Sequence, residues 1–290
     1  MTRLKKLQHK CEYFLFRYFM LIFSSLPFRF SSNLAAFIVS ALAFLFRADK
    51  IAQENLQMIF PAKDGSEIRQ IKKEVWQNLG RNFAENAHFS RLKPSQIEQK
   101  VNIIGEQYLA SLNTKQPVIF FTAHFSNWEL ANLILALKGF KMNSIYRPAN
   151  NYYIDKKIAL IRQKDLTINL HKKGRKGSVE FLKALKCGEA GGILIDQKYR
   201  KGISVDFLGK KAYSASLIAD IAKKYEALLV PVHIQRLASG NFDFIVEKPL
   251  QYSDIKNLTT AEILLKLNKI IEKWIIAKPG EWFWVHDRWG

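Results

Sequence analysis

The chain has 290 residues, 48% of them hydrophobic and 13% aromatic, so it can bury a large core and is excluded from the disordered class. Lysine and arginine total 45 against 25 acidic residues, a formal net charge of +20 that draws the protein toward anionic partners: nucleic acid, anionic lipid or an acidic protein. The two cysteines, Cys11 and Cys187, lie far apart in unlike contexts, which suggests neither a disulfide framework nor a metal site and fits a reducing compartment.

The first fifty residues differ from the rest. A basic start (Arg3, Lys5, Lys6, Lys10) leads into an apolar run from Tyr13 to Leu26, and after a polar break a charge-free run spans Leu34 to Phe46. Each run is 13 or 14 residues long, short of the roughly 20 that a helix needs to cross a bilayer, and Arg17 interrupts the first. The basic start resembles a secretory signal, but no small-residue cleavage site follows it. The segment therefore reads as a retained membrane anchor, a shallow hairpin or interfacial helices as readily as a span. Two amphipathic helices packed on the soluble part are the alternative. The division is residues 1–50 as anchor and 51–290 as one domain.

From Asp64 to Leu92, Ile68, Ile71, Val75, Leu79 and Phe83 recur at helical spacing, with Lys72, Lys73 and Arg81 off that stripe. The pattern then changes. Strands are expected at Val101 to Ile104, Pro117 to Thr122, Asn143 to Tyr146, Ile193 to Ile195, Leu228 to Ile234 and Phe242 to Val246. Helices are expected at Asn127 to Leu137, Tyr153 to Gln163, Val179 to Leu185, Ser214 to Tyr225 and about Ala261 to Ile276. Buried strands alternating with helices predict an α/β fold with a mixed, mostly parallel central sheet flanked by helices, carrying the membrane-associated helical segment at its N-terminus.

His124 and Glu129 form an H-x4-E pair directly after the second of those strands. On one regular helix they would stand about 140° apart. A strand end at Ala123, a turn through Phe125 and Ser126 and a helix from near Asn127, with Ser126 and Asn127 as good caps, let Glu129 reach back to the imidazole. A His–carboxylate pair there can take a proton from a hydroxyl, and the helix start can offer free N–H groups to an oxyanion or phosphate. On spacing alone the default reading is structural: His124 caps a strand and Glu129 is a first-turn carboxylate.

Arg147, after the next strand, sits at the same sheet edge and can hold phosphate, or is a solvated turn residue beside Pro148. Asp196 ends another apolar run and can orient Arg147 or a substrate group, or cap a turn. Arg162 lies on a helix that can face the same pocket. Lys172, Lys173, Arg175 and Lys176, with Gly174 and Gly177 between them, suit phosphates or an acidic protein, or form a solvated turn. His233 and His286 read as structural. No metal motif, Walker A loop or dinucleotide fingerprint is present, so no metal or nucleotide cofactor is called for.

In order along the chain, these blocks resemble the bacterial lipid A biosynthesis acyltransferases of the late, lauroyl or myristoyl type, within the lysophospholipid acyltransferase superfamily. The resemblance rests on Asn55-Leu56 with Phe60-Pro61, Gly80-Arg81-Asn82 with Glu85, and His124-Phe125-Ser126-Asn127-Trp128-Glu129. It continues through Tyr146-Arg147-Pro148, Asp196-Gln197, Phe207-Leu208-Gly209, Val230-Pro231 with Arg236, and the run from Pro279 to Trp289. The block after Asp196, Gln197-Lys198-Tyr199-Arg200-Lys201, is more basic than the family pattern.

The resemblance implies transfer of an acyl chain from acyl carrier protein to a hydroxyl of a lipid A precursor, on the cytoplasmic side of the inner membrane. It implies His124 as general base and Glu129 as its partner, with Arg147, Asp196, Arg162 and Asn127 binding substrate. It also implies no cofactor besides the acyl-carrier donor, and a monomer without a nucleic-acid role. Without a G-x-S-x-G elbow the route is direct attack, with no acyl-enzyme. Since the carrier protein is cytosolic, a shallow hairpin or an N-out span avoids placing the catalytic domain on the wrong side. The alternatives are a lysophospholipid or mannosylated phosphoinositide acceptor, and a non-catalytic membrane adaptor.

Overall fold

The computed structural model describes residues 2–112, 116–163 and 166–290. Helices come first: α1 (Arg3–Ser25), α2 (Phe28–Ala41), a 3-10 turn (Ala43–Leu45), α3 (Arg47–Ile59), α4 (Gly65–Phe89) and the short α5 (Pro94–Glu98). Strands and helices then alternate: β1 (Val101–Ile104), α6 (Glu106–Ala110), β2 (Val118–Thr122), α7 (Glu129–Leu137), β3 (Met142–Tyr146), α8 (Tyr152–Gln163), β4 (Ile168–Lys172), α9 (Arg175–Lys186) and β5 (Ala190–Leu194). A hairpin of β6 (Ile203–Phe207) and β7 (Lys210–Ser214) follows. After it come α10 (Leu217–Tyr225), β8 (Leu228–Arg236), β9 (Phe242–Val246), α11 (Thr260–Ala277) and an aromatic tail entered through a 3-10 turn (Pro279–Glu281).

The central sheet has seven strands in the order β1-β9-β8-β2-β5-β3-β4. From β8 to β4 all neighbours are parallel, β9 is antiparallel to β8, and β1 is parallel to β9. This is the mixed, mostly parallel sheet that alternating buried runs and helices predict. All five residues of β2 are buried, because the strand is central and both of its faces are covered. Val118 and Phe120 enter the core shared with α7, whereas Ile119 and Phe121 enter the one shared with α9, α10 and α11.

The long helix α4 starts at a capping box, Asp64 with Glu67, and buries the stripe that the sequence shows. Gly80 lets α2 lie directly on it, since a Cβ there would stand 2.4 Å from the carbonyl oxygen of Ala35. The N-terminal helices are tied to the rest by specific bonds: Asn151 donates to the carbonyl of His9 and to Glu12, both at 2.8 Å. Among the described residues no helix is long and apolar enough to cross a membrane.

Most of the large apolar side chains left exposed lie before residue 47, with Phe37 at 70% and Phe44 at 73% of full exposure. On α1, at about 100° per residue, Leu4, Leu7, Phe14, Leu15 and Tyr18 share the exposed side. His9, Phe16, Met20 and Phe23 share the opposite, inner side, and Arg3, Lys6, Lys10 and Arg17 run along one flank between them.

Three strands, β4, β6 and β7, escape the sequence pattern, as do the helices α3, α5 and α6. β4 is an edge strand with its middle only half-buried. The β6–β7 hairpin turns through Leu208 and Gly209, both left-handed (φ 52° and 75°).

Candidate active site

β2 and β5 are adjacent and parallel, so the residues just past their carboxyl ends meet. Asp196, past β5, accepts from the backbone N–H of His124, past β2, at 2.8 Å through Oδ2. Its Oδ1 lies 2.8 Å from His124 Nδ1. Trp282 Nε1 also donates to Oδ2, at 2.8 Å. Asp196 is wholly buried. Burial opposes its charge, but the adjacent imidazole and these hydrogen bonds hold its carboxyl well below the usual carboxylate range.

An ionised Asp196 accepts a proton bond from Nδ1, which leaves the Nε2 lone pair free. The Gln197 amide nitrogen, 3.2 Å from Nε2, favours the same tautomer.

The turn that presents His124 is held from two sides. Phe125 N–H closes on the carbonyl of Ala123 at 2.7 Å, and Ser126 takes the left-handed conformation at φ 49°. The tail pairs with it: Ser126 N–H donates to Glu281 O, Phe283 N–H donates to His124 O, and Phe125 bridges Trp282. From α4, Asn82 donates to the Ser126 carbonyl at 2.7 Å.

Glu129 does not reach back to the imidazole. α7 begins at Glu129 rather than near Asn127, and its cap position, Trp128, makes no side-chain cap bond. The Glu129 carboxylate is gripped by Arg162 of α8 in a two-pronged pair, Nε to Oε2 at 2.7 Å and Nη2 to Oε1 at 2.5 Å. Burial works against the Arg162 charge, yet Glu129 outweighs it and raises the guanidinium above its ordinary value. The imidazole's carboxylate partner is thus Asp196, not Glu129, and Asp196 orients His124 rather than Arg147. The adjacency of β2 and β5 is the physical reason.

Glu129, Arg162 and Asn86 are the polar members of the lining of an otherwise apolar cavity of about 170 Å³, formed by Phe16, Met20, Phe83, Phe89, Leu130, Leu133, Ile158 and Ile161. The inner face of α1 is therefore one of its walls.

Arg147 follows β3 at the same sheet edge, but β5 separates β3 from β2, so it is not beside His124. It is exposed and, among the described residues, makes no hydrogen bond or ion pair.

Asn127 is wholly buried and donates to Glu85 at 2.9 Å, which corrects its expected place on the substrate surface. Glu85 is the centre of a hydrogen-bonded network. Arg236 grips it at 2.7 and 2.9 Å and also donates to Asn78 and Asn82, and Ser32 donates to Glu85. Burial opposes the Glu85 charge, but the Arg236 guanidinium lowers its carboxyl below the ordinary range. A larger cavity of about 500 Å³ is lined by Glu85 and Arg236 of this network together with Arg29, Arg81, Glu74 and Glu281, and His124 and Asp196 line neither cavity.

His233 stacks on Trp274 at 4.4 Å, and His286 bonds the Phe283 carbonyl. Sequence reasoning missed Trp282 as a donor to Asp196. Its only signal was its place in the aromatic block at the tail. Among the described residues no group of three or more His, Cys, Asp or Glu side chains could hold a metal ion.

The pattern of the family described as bacterial lipid A biosynthesis acyltransferase matches residues 1–290. The chain is 26% identical over 253 residues to the lipid A biosynthesis lauroyltransferase of Escherichia coli K12, covering 86% of this chain and 81% of that protein. It is 27% identical over 254 residues to the palmitoleoyltransferase of the same strain, covering 86% and 80%. A second lipid A biosynthesis acyltransferase, from Shigella flexneri, is 22% identical over 242 residues, covering 82% and 76%. Every block named above, from Asn55 to Trp289, falls within the matched residues, and the chain belongs to the bacterial lipid A biosynthesis acyltransferase family.

Proposed function

We propose that this protein moves a fatty acyl chain from acyl carrier protein to a hydroxyl of a lipid A precursor on the cytoplasmic side of the inner membrane, with His124 as general base. The observation that carries the reading is the imidazole fixed through Nδ1 by a buried, ionised Asp196, with Nε2 left to accept a proton. Nε2 takes the acceptor's hydroxyl proton as that oxygen attacks the thioester carbonyl. The tetrahedral intermediate then collapses, the carbon–sulfur bond breaks, and the imidazolium returns the proton to the leaving thiolate. No acyl-enzyme forms.

Glu129 and Arg162 are the charged residues in the wall of the smaller cavity, so they orient substrate there, and its apolar side chains hold the acyl chain. Arg147, exposed and unpaired at the same edge, is a phosphate contact for the acceptor.

The exposed apolar face of α1 sinks into the bilayer interface with its basic flank at the anionic headgroups, and Phe30, Phe37 and Phe44 extend the apolar surface. One chain contains every residue in this scheme, so a monomer suffices and no cofactor is required.

The test is mass spectrometry of lipid A from cells with the protein, without it, and with His124→Ala. The expected result is one acyl increment present only with the active protein. An unchanged profile rejects the lipid A acceptor, and a matching change in phospholipids would assign a lysophospholipid instead. Full transfer by His124→Ala rejects the proposed base and leaves a non-catalytic adaptor for the carrier or lipid.

A further inference from the structure

Three neighbouring strand ends carry cations. Arg147 follows β3, Lys172 ends β4 with Lys173 next, Arg175 opens α9, and Arg200 and Lys201 follow Asp196 beyond β5. Because β2, β5, β3 and β4 are consecutive and parallel, all of these lie on the edge that bears His124. Contacts connect them: Gln197 touches His124 Nε2, and Lys173 stands over the Tyr199 ring at 5.4 Å. All six cations are exposed, and none forms an ion pair among the described residues.

Arg175 stands in the first turn of α9, which holds no acidic residue. That is the positive end of the helix dipole, where a cation is disfavoured and a carboxylate is stabilised. A like-signed, unpaired cluster at this point is therefore not there to stabilise the helix.

We infer that the five of these cations other than Arg147, which is left to the acceptor's phosphate, form the docking surface for the acidic carrier domain of the acyl donor, which they hold beside His124 while the flexible arm carries the thioester toward Nε2. This rests on the donor proposed above. A carrier of opposite charge fits a surface that stays positive even though Lys176 and Lys198 in the same segments are paired with Glu180 and Asp287, and attraction of this kind acts mainly on encounter and salt dependence.

The test compares Arg175→Glu/Lys201→Glu with Lys223→Glu/Lys224→Glu, an equal change of charge on α10, which leads into the opposite end of the sheet. Each protein is assayed with acyl carrier protein thioesters and with the matching S-acyl-pantetheine. The first pair is expected to raise KM for the carrier donor about tenfold or more and flatten its salt dependence, with acyl-pantetheine turnover unchanged. The α10 pair is expected to behave as wild type. Since glutamate at position 175 suits the helix start, the pantetheine assay also verifies folding.

Equal losses on both donors, or equal effects from both pairs, overturn the surface. So does unchanged carrier kinetics with loss of binding to vesicles of anionic phospholipid, which would assign the cluster to lipid. Wild-type protein that transfers from acyl-pantetheine but never from the carrier thioester rejects the donor itself, and this surface with it.

Discussion

Two carboxylate–guanidinium pairs stand on either side of the turn that presents His124, and they differ in what each has left over. Glu85 and Arg236 are nearly buried and saturated with partners, although both line the larger cavity. Glu85 accepts from Ser32 and Asn127 as well as from Arg236, and Arg236 donates further to the amide oxygens of Asn78 and Asn82. Glu129 and Arg162 use the same chemistry, but their side chains are 24% and 33% exposed and line the smaller, mostly apolar cavity. A saturated buried pair holds other groups in place, whereas a half-open one retains surface for a ligand. Position within the fold, not residue type, separates scaffold from site.

The largest expected effect lies outside both pairs and sets the scale. His124→Ala lowers transfer by about a thousandfold and also lowers the urea midpoint, because it strips the buried Asp196 carboxylate of its imidazole partner. Next is Glu85→Ala, which strands the Arg236 charge and costs about 3–5 kcal/mol of stability in urea unfolding. Glu129→Gln costs under about 1 kcal/mol while lowering turnover. Equal destabilisation by the two would mean that both pairs serve the scaffold alike.

On β8, the strand that also carries Arg236, burial and then Lys278 push His233 down to about 4. A Glu247 oxygen 3.7 Å from Nδ1 lies beyond hydrogen-bond range and does not reverse this. A depressed folded value means that stability is complete above about pH 6.5 and is lost as pH falls through about 4. The loss reaches about 3 kcal/mol, and His233→Phe is expected to flatten the urea midpoint over that range.

On the open side, Arg162→Lys keeps the charge but loses the two-pronged grip, and an approximately tenfold fall in kcat/KM is expected. The smallest effect is Leu133→Trp, which shortens the cavity and shifts donor preference toward shorter acyl chains by a few-fold. An unaltered chain-length profile would detach the cavity from the acyl chain.

The sequence made the central strands legible because β2 and β8 are buried on both faces and read as continuous apolar runs. β4 was not, since Asn169, His171 and Lys172 break any such run at the sheet edge. For the site, His124 and the turn after it were legible from local chemistry. Its carboxylate partner was not: Asp196 is 72 residues away, and only strand order brings it near, while the local carboxylate at position 129 suggested itself by proximity in the chain. Asn127 carried the right chemistry for a cap, but the Glu85 charge beneath it claimed its side chain.

The tail gives the fold an order of completion. Trp282 follows Asp196 by 86 residues and supplies one of its hydrogen bonds. Glu281 and Phe283 clamp the His124 turn, and the buried Arg288 fastens the tail to Tyr213 and Ser214 of the hairpin. As the chain leaves the ribosome, every strand, His124 and Asp196 emerge before these fasteners do. Removing the residues from Glu281 onward would cut all of these bonds at once and leave the His124 turn and Asp196 without the clamp that strand adjacency alone does not provide.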